Sequence, residues 1–207
     1  MQKIKLTITL AALLNLINYA IAEGGFYIGI GAGYSGLTST VQSPYQFNDG
    51  TNGSQTDGSF ASTLYFGYDF NKIVGIQADY NAAWGTSNSN NSYTMNQQLL
   101  GGSILVHFPF SVISNSLSGL DVYAKGGLDY NATNFGNVNP GCSNCVNPPN
   151  SATGATPLYG AGIEYGFTNV GYRLEWDYSG SLMTTNQGNN QVSITSNSFF
   201  LSILYHF

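Results

Sequence analysis

The chain has 207 residues and a formal net charge of −5, with 7% charged residues against 43% hydrophobic and 14% aromatic. So little charge suits neither a soluble domain, in which about a quarter of residues are charged, nor a disordered segment, which is rich in charge and poor in aromatics. The basic residues are Lys3, Lys5, Lys72, Lys125 and Arg173, too few and too scattered for a nucleic-acid footprint.

At the N-terminus, Lys3 and Lys5 precede a mostly apolar run over residues 6–17. Ala20-Ile21-Ala22 then forms an A-x-A cleavage pattern. This layout predicts a secretory signal peptide over residues 1–22, followed by a single domain over residues 23–207. The apolar run is shorter than the roughly 20 residues of a membrane helix, and Asn15 and Asn18 interrupt it. No later stretch reads as a spanning helix. An apolar exterior without spanning helices leaves a closed β-barrel, because lipid requires every backbone polar group to be satisfied internally.

Period-2 alternation then recurs in segments of about the length of a membrane strand. The first predicted strand, residues 26–35, puts Phe26, Ile28, Ile30, Ala32 and Tyr34 on one face and Tyr27, Gly29, Gly31, Gly33 and Ser35 on the other. The second, residues 60–70, aligns Leu64, Phe66, Tyr68 and Phe70. The third, residues 74–84, aligns Val74, Ile76, Ala78, Tyr80 and Trp84. The fourth ends in Leu100, Gly102, Ile104, Val106 and Phe108, and the fifth carries Leu120, Val122, Ala124, Leu128 and Tyr130. The sixth has Tyr159, Ala161, Ile163, Tyr165 and Phe167. The seventh has Val170, Tyr172, Leu174, Trp176 and Tyr178, and the eighth has Phe199, Leu201, Ile203, Tyr205 and Phe207. The expected fold is all-β: an eight-stranded antiparallel up-and-down transmembrane barrel.

The charges test this assignment. Asp69, Asp79, Asp121, Lys125, Asp129, Glu164, Arg173, Glu175 and Asp177 all fall on the face opposite the apolar set. A cation facing lipid at the midplane costs about 2–4 kcal/mol. The charged face is therefore the lumen, the reverse of a soluble ligand-binding barrel. Long polar connections fall near residues 37–59, 85–92, 131–156 and 179–193. Tighter ones fall near Asn71, at residues 109–119 and at Thr168-Asn169. In outer-membrane barrels the long loops are external and the short turns periplasmic, so both termini are expected in the periplasm.

The residues Gly160-Ala-Gly-Ile-Glu-Tyr-Gly-Phe-Thr-Asn-Val-Gly-Tyr-Arg-Leu-Glu-Trp-Asp-Tyr178 resemble strands six and seven of the OmpA-like outer-membrane barrel family. Gly25-Phe-Tyr-Ile-Gly-Ile-Gly-Ala-Gly-Tyr34 resembles its first strand. Ser198-Phe-Phe-Leu-Ser-Ile-Leu-Tyr-His-Phe207 resembles its C-terminal assembly signal, which places Tyr205 and Phe207 in contact with the barrel-assembly machinery during biogenesis. The family's peptidoglycan-binding domain has no counterpart in the sequence.

A two-residue turn at Thr168-Asn169 sets Glu164 directly opposite Arg173, both inward, and such an opposite-charge pair stabilises a sheet by about 0.2–1 kcal/mol. Lys125 approaches the same acids if the register allows, with Glu175, Asp177 and Asp79 as further partners. The resemblance implies an internal ion-pair network that plugs the lumen. The family's central lysine lies on strand four, whereas Lys125 lies on strand five. Inward acids outnumber inward bases, which calls for water or neutralised carboxyls. The inward glycines 29, 31, 33, 67, 127, 160 and 162 are read as space for Tyr65, Tyr123 and the charged groups in an interior just wide enough for side chains.

Cys142 and Cys145 form Cys-Ser-Asn-Cys in the third long loop. An oxidising export pathway favours a short disulfide there over a redox or zinc site, which would need a helix or further ligands. His107 and His206 end strands four and eight at the periplasmic rim and read as exposed or capping residues. That is the wrong side for a lipid-modifying active site at the outer leaflet, and a general base must reach its substrate. The sequence thus implies no catalytic residue, no metal and no cofactor. It predicts a monomer among outer-membrane lipids, without nucleic acid, whose external loops serve structure, surface contact, antigenicity or adhesion to a host or surface ligand. A narrow porin is the first alternative, and a membrane-embedded lipid-modifying enzyme is a disfavoured second.

Overall fold

The computed structural model describes residues 24–41, 53–85, 94–136, 151–185 and 191–207. These form one closed barrel of eight antiparallel strands: β1 (Gly25–Val41), β2 (Gly53–Asp69), β3 (Val74–Gly85), β4 (Thr94–Pro109), β5 (Leu120–Gly136), β6 (Ser151–Phe167), β7 (Val170–Thr185) and β8 (Gln191–His206). Each strand pairs with its neighbours in sequence, and β1 also pairs with β8, Tyr34 opposite Phe199, which closes the sheet. Closure leaves no strand edge to be satisfied in lipid.

The connections β2–β3, β4–β5 and β6–β7 lie with Gly24 and Phe207 at one end, the turn end; the opposite end is the loop end. In the first turn, Asn71 Oδ1 accepts from the amides of Ile73 (2.8 Å) and Val74 (2.9 Å), the local side-chain bond that makes asparagine a turn residue. In the third, Thr168 sits at φ 51°, an uncommon conformation for a β-branched residue, and Phe167 pairs with Val170 across it.

Residues alternate as the sequence predicts. Phe26, Ile28, Ile30, Leu64, Phe66, Ile104, Leu174 and Ile203 are exposed to the membrane, while Lys125, Arg173, Glu175, Asp177, Asp79 and Asp129 are buried inside. From Phe26 to Tyr34 a strand rises about 27 Å. A tilt of about 40° reduces that to ~21 Å, close to the ~25 Å apolar band of such barrels.

The strands do not stop there, and this corrects the expected loops. β1 continues to Val41, β5 to Gly136 and β7 to Thr185, while β2, β6 and β8 begin at Gly53, Ser151 and Gln191. Much of residues 37–59, 131–156 and 179–193 is therefore sheet. At the other end two strands are a residue shorter than expected: Phe70 lies in the turn, and Phe207 follows β8, with its amide donating to Phe26 O at 2.9 Å.

In the extensions the pattern inverts. Leu37, Met95, Phe135, Ala152, Leu182 and Ile194 point inward and cluster with Ala61, Ala83 and Phe200, whereas Thr56, Asn96, Asn134 and Asn197 face out. Outside lipid the barrel wall meets water. There the hydrophobic effect works as in a soluble barrel, with apolar side chains inside and polar ones outside. The lumen is thus charged at membrane depth, and towards the loop end it holds an apolar cluster interspersed with buried Ser39, Gln97, Thr133 and Ser196.

Candidate functional site

The lumen gathers the buried charged side chains of the described residues. β6 and β7 are in register across the Thr168-Asn169 turn, so Glu164 stands opposite Arg173. Arg173 Nη2 and Nε donate to Glu164 Oε2 at 2.8 and 3.1 Å, and Nη1 donates to Gln77 Oε1 at 2.7 Å. Glu175 Oε2 lies 3.7 Å from Nη1. The guanidinium also sits among the rings of Tyr123, Tyr65 and Tyr27, its Cζ 4.7, 5.0 and 5.2 Å from their centroids. An always-charged, weakly hydrated planar cation is the group that tolerates this burial, and cation–π contacts are worth about 2 kcal/mol when desolvated.

Lys125 organises a second cluster. Its Nζ donates to Asp177 Oδ2 at 2.8 Å and to Glu175 Oε1 at 3.0 Å, and lies 3.7 Å from Asp79 Oδ1. Of the acids expected around it, Lys125 thus meets Asp177, Glu175 and Asp79 but not Glu164. Register is the reason: Lys125 pairs with Gly160 and stands level with Asp177, whereas Glu164 pairs with Asp121 nearer the turn end. Glu175 joins the clusters, because Tyr123 Oη also donates to its Oε2. Gln77 bridges them as well: it accepts from Tyr27 Oη at 2.9 Å and donates to Asp79 Oδ1 at 3.3 Å.

Glycines set the space. A Cβ on Gly29 would lie 2.0 Å from the Tyr65 ring, one on Gly67 2.0 Å from the Tyr27 ring, and one on Gly162 2.4 Å from Tyr123 Oη. Gly101, not singled out in the sequence, has the Asp79 and Asp129 carboxylates around it, each with an oxygen 2.3 Å from where a Cβ would be. Asp79 Oδ2 is buried without a hydrogen-bond partner among the described residues. Part of the excess of inward acid thus collects around Gly101, and Asp69 and Asp121 carry more of it at the turn end.

At the turn end, His107 Nδ1 meets Asp121 Oδ2 at 2.7 Å, while Nε2 faces Asp69 Oδ1 at 3.5 Å. His206 Nε2 meets Glu164 Oε1 at 3.0 Å. His107 is therefore buried and braced, not exposed, because its place in the alternation of β4, between outward Val106 and Phe108, points its side chain into the mouth between Asp69 of β2 and Asp121 of β5. Among the described residues no group of three or more His, Cys, Asp or Glu has metal-binding geometry. Cys142, Cys145 and residues 1–22 lie outside the described residues.

The model of the outer membrane protein β-barrel domain family matches residues 6–207. The chain belongs to this family. As a member it is a bacterial outer-membrane protein, and the lipid-facing belt described above is its membrane surface. Solved barrels share the fold at low identity. Neisserial surface protein A superposes with a TM-score of 0.62 at 16% identity, covering 89% of this chain and 99% of that one. OprG of Pseudomonas aeruginosa gives 0.51 at 14%, covering 88% and 96%. Ail of Yersinia pestis, the attachment invasion locus protein, gives 0.50 at 14%, covering 88% and 99%. No curated protein sequence matches the chain.

The two residues of the expected assembly signal lie on the outside of this outer-membrane barrel at the turn end. Phe207 and Tyr205 are exposed and make a T-shaped ring contact at 5.1 Å. Three features of the site were missed in the sequence: the tyrosine enclosure of Arg173, the bridging Gln77 and the apolar upper lumen. Tyr27 and Gln77 share the inward parity of the charged residues, and that was the available signal for both.

Proposed function

We propose that this barrel is a closed scaffold that carries its loop end outside the cell for contact with the surroundings, and that it is not a solute channel. One observation carries the reading: the lumen is filled by two successive layers of different chemistry. At membrane depth, Arg173, Lys125, Glu164, Glu175, Asp177 and Asp79 interlock with Tyr27, Tyr65 and Tyr123. Towards the loop end, Leu37, Met95, Phe135, Leu182 and Ile194 fill the same space. An eight-stranded barrel is only wide enough for its own side chains, so two filled layers oppose continuous water. The sheet that rises past the apolar band, polar outside, is a stiff support for external segments, and surface contact tends to reside on loops held by such scaffolds. The surface and attachment proteins among its structural neighbours are named for such roles, which is in keeping with this use here.

Orientation and closure are tested together. In a background with Cys142 and Cys145 replaced by Ser, Asn134→Cys and Thr56→Cys should react with an impermeant maleimide on intact cells, and Asn169→Cys should not. Vesicles holding the folded barrel should retain small sugars. Labelling of Asn169→Cys alone reverses the orientation, and rapid sugar leakage rejects the closed scaffold.

The porin alternative has one observation in its favour. Glu175 is shared between Arg173 and Lys125, so an exchange of partners would loosen the charged layer. The apolar layer above would still have to open.

A further inference from the structure

The β4–β5 connection differs from the other two at the turn end. Those are residues 70–73, whose exposed apolar residue is Phe70 next to β2, and Thr168 and Asn169. This one is longer, folds into two 3-10 turns, Phe110–Val112 and Asn115–Leu117, and exposes large apolar side chains: Ile113 at 65%, Val112 at 49% and Leu117 at 39%. Its first and last serines lie on another side. Ser111, Ser118 and Gly119 line the cavity at the barrel mouth with Asp69, His107, Asp121 and His206, and none of Val112, Ile113 or Leu117 lines that cavity. The segment is two-sided at its base, with Ser111 and Ser118 towards the mouth and the three aliphatic groups away from it, while Ser114 and Ser116 pair with each other at its tip.

The apolar side is continuous with the membrane belt. Phe108, the last lipid-facing residue of β4, makes a T-shaped contact with Phe110 at 5.9 Å. Gly119 O accepts from the Gly166 amide at 2.9 Å, which ties the return of the segment to β6 beside the exposed Tyr165 and Phe167. Backbone bonds from Ile113 and Ser114 to Phe110 O, and from Leu117 to Ser114 O, satisfy part of the main chain within the turns. A segment at the edge of the lipid needs such local pairing.

We infer that this connection is an interfacial foot: Val112, Ile113 and Leu117 insert into the headgroup–acyl boundary of the leaflet at the turn end, while Ser111 and Ser118 stay in the aqueous mouth. A two-sided short element with aliphatic residues on one side belongs at that depth, where apolar groups leave water without crossing the membrane. The occupant is the lipid surface itself, because the apolar side extends the lipid-facing belt and does not interrupt it. Only the identity of the leaflet, periplasmic in the proposed orientation, rests on the reading above.

The test uses the full barrel in vesicles, without other proteins. In the background lacking Cys142 and Cys145, single cysteines at Val112, Ile113, Leu117, Ser111, Ser118 and Lys72 are labelled with an environment-sensitive fluorophore. Heat-modifiable gel mobility confirms that each variant is folded. Labels at 112, 113 and 117 should emit blue-shifted light. They should be quenched several-fold more by lipids with a nitroxide near the headgroup than the label at Lys72, and several-fold less by aqueous iodide. Labels at 111 and 118 should behave like Lys72. Water-like emission and full iodide quenching at 113 and 117 would overturn the inference and leave the patch free for a periplasmic protein. Equal lipid quenching at all five turn positions would overturn the two-sided placement.

Discussion

Arg173 and Glu164 meet across the tightest turn of the barrel, Nη2 to Oε2 at 2.8 Å, and both are buried from solvent. Glu164 has a second partner, His206, on its other oxygen, and Arg173 has Gln77 and three tyrosine rings. The pair is thus embedded in neighbours that remain after either member is removed. Breaking a buried pair from one side costs about 3–5 kcal/mol, whereas replacing both members is often near neutral. Arg173→Met should therefore destabilise the barrel by roughly 3 kcal/mol, and adding Glu164→Gln should recover part of that loss. A double-mutant cycle on urea unfolding in vesicles reads the coupling; strictly additive effects would mean that the contact contributes nothing.

The space left by glycine should be as necessary as the rings that fill it. Gly29→Ala puts a methyl 2.0 Å from the Tyr65 ring, and overpacking of that kind costs about 1–3 kcal/mol. Combining it with Tyr65→Leu should lose less than the sum of the two single changes. A neutral Gly29→Ala would show that the ring has room to move and that the enclosure around Arg173 is loose.

The inverted loop-end layer makes a contrast between adjacent residues of β8. Ile194 is fully buried, and Thr195 is on the opposite face. Ile194→Ala should cost about 2–5 kcal/mol as a cavity in a packed interior, while Thr195→Ala should stay within about 0.5 kcal/mol. Equal small effects at both positions would mean that the upper barrel is not packed in the membrane-inserted protein.

Deleting Phe207, or replacing it with Asp, should reduce the folded barrel recovered in the outer membrane, scored by heat-modifiable mobility. The exposed Tyr205–Phe207 ring pair at the end of β8 is the motive. Unchanged yield would show that this terminus is not what the assembly machinery recognises.

The membrane half of this fold was legible because lipid and lumen impose opposite chemistry on alternate residues. A run such as Phe26-Tyr-Ile-Gly-Ile-Gly-Ala-Gly-Tyr34 therefore carries its own register, and the Thr168-Asn169 turn then fixed the Glu164–Arg173 pairing. The same criterion concealed the upper strands. Above the lipid, outward Thr56 and Asn134 look like loop residues, and inward Leu37 and Ile194 break the apolar-outward rule. Nothing local marks where the surrounding medium changes from lipid to water. Lys125 was placed on the correct face, but its choice of Asp177 and Glu175 over Glu164 depends on the stagger between β5 and β7, strands not joined by a turn. The tyrosines around Arg173 come from β1, β2 and β5, so only closure of the barrel brings them together.

Closure of the lumen is most directly tested by single-channel recording of the purified, folded protein in planar bilayers, beside Lys125→Met and an Ile194→Ala variant. With both filled layers intact, the wild-type barrel should give a flat current, and the single variants should stay near that baseline because each leaves one layer in place. Regular, discrete openings in the wild-type protein would contradict the closed barrel and restore the narrow channel as its function.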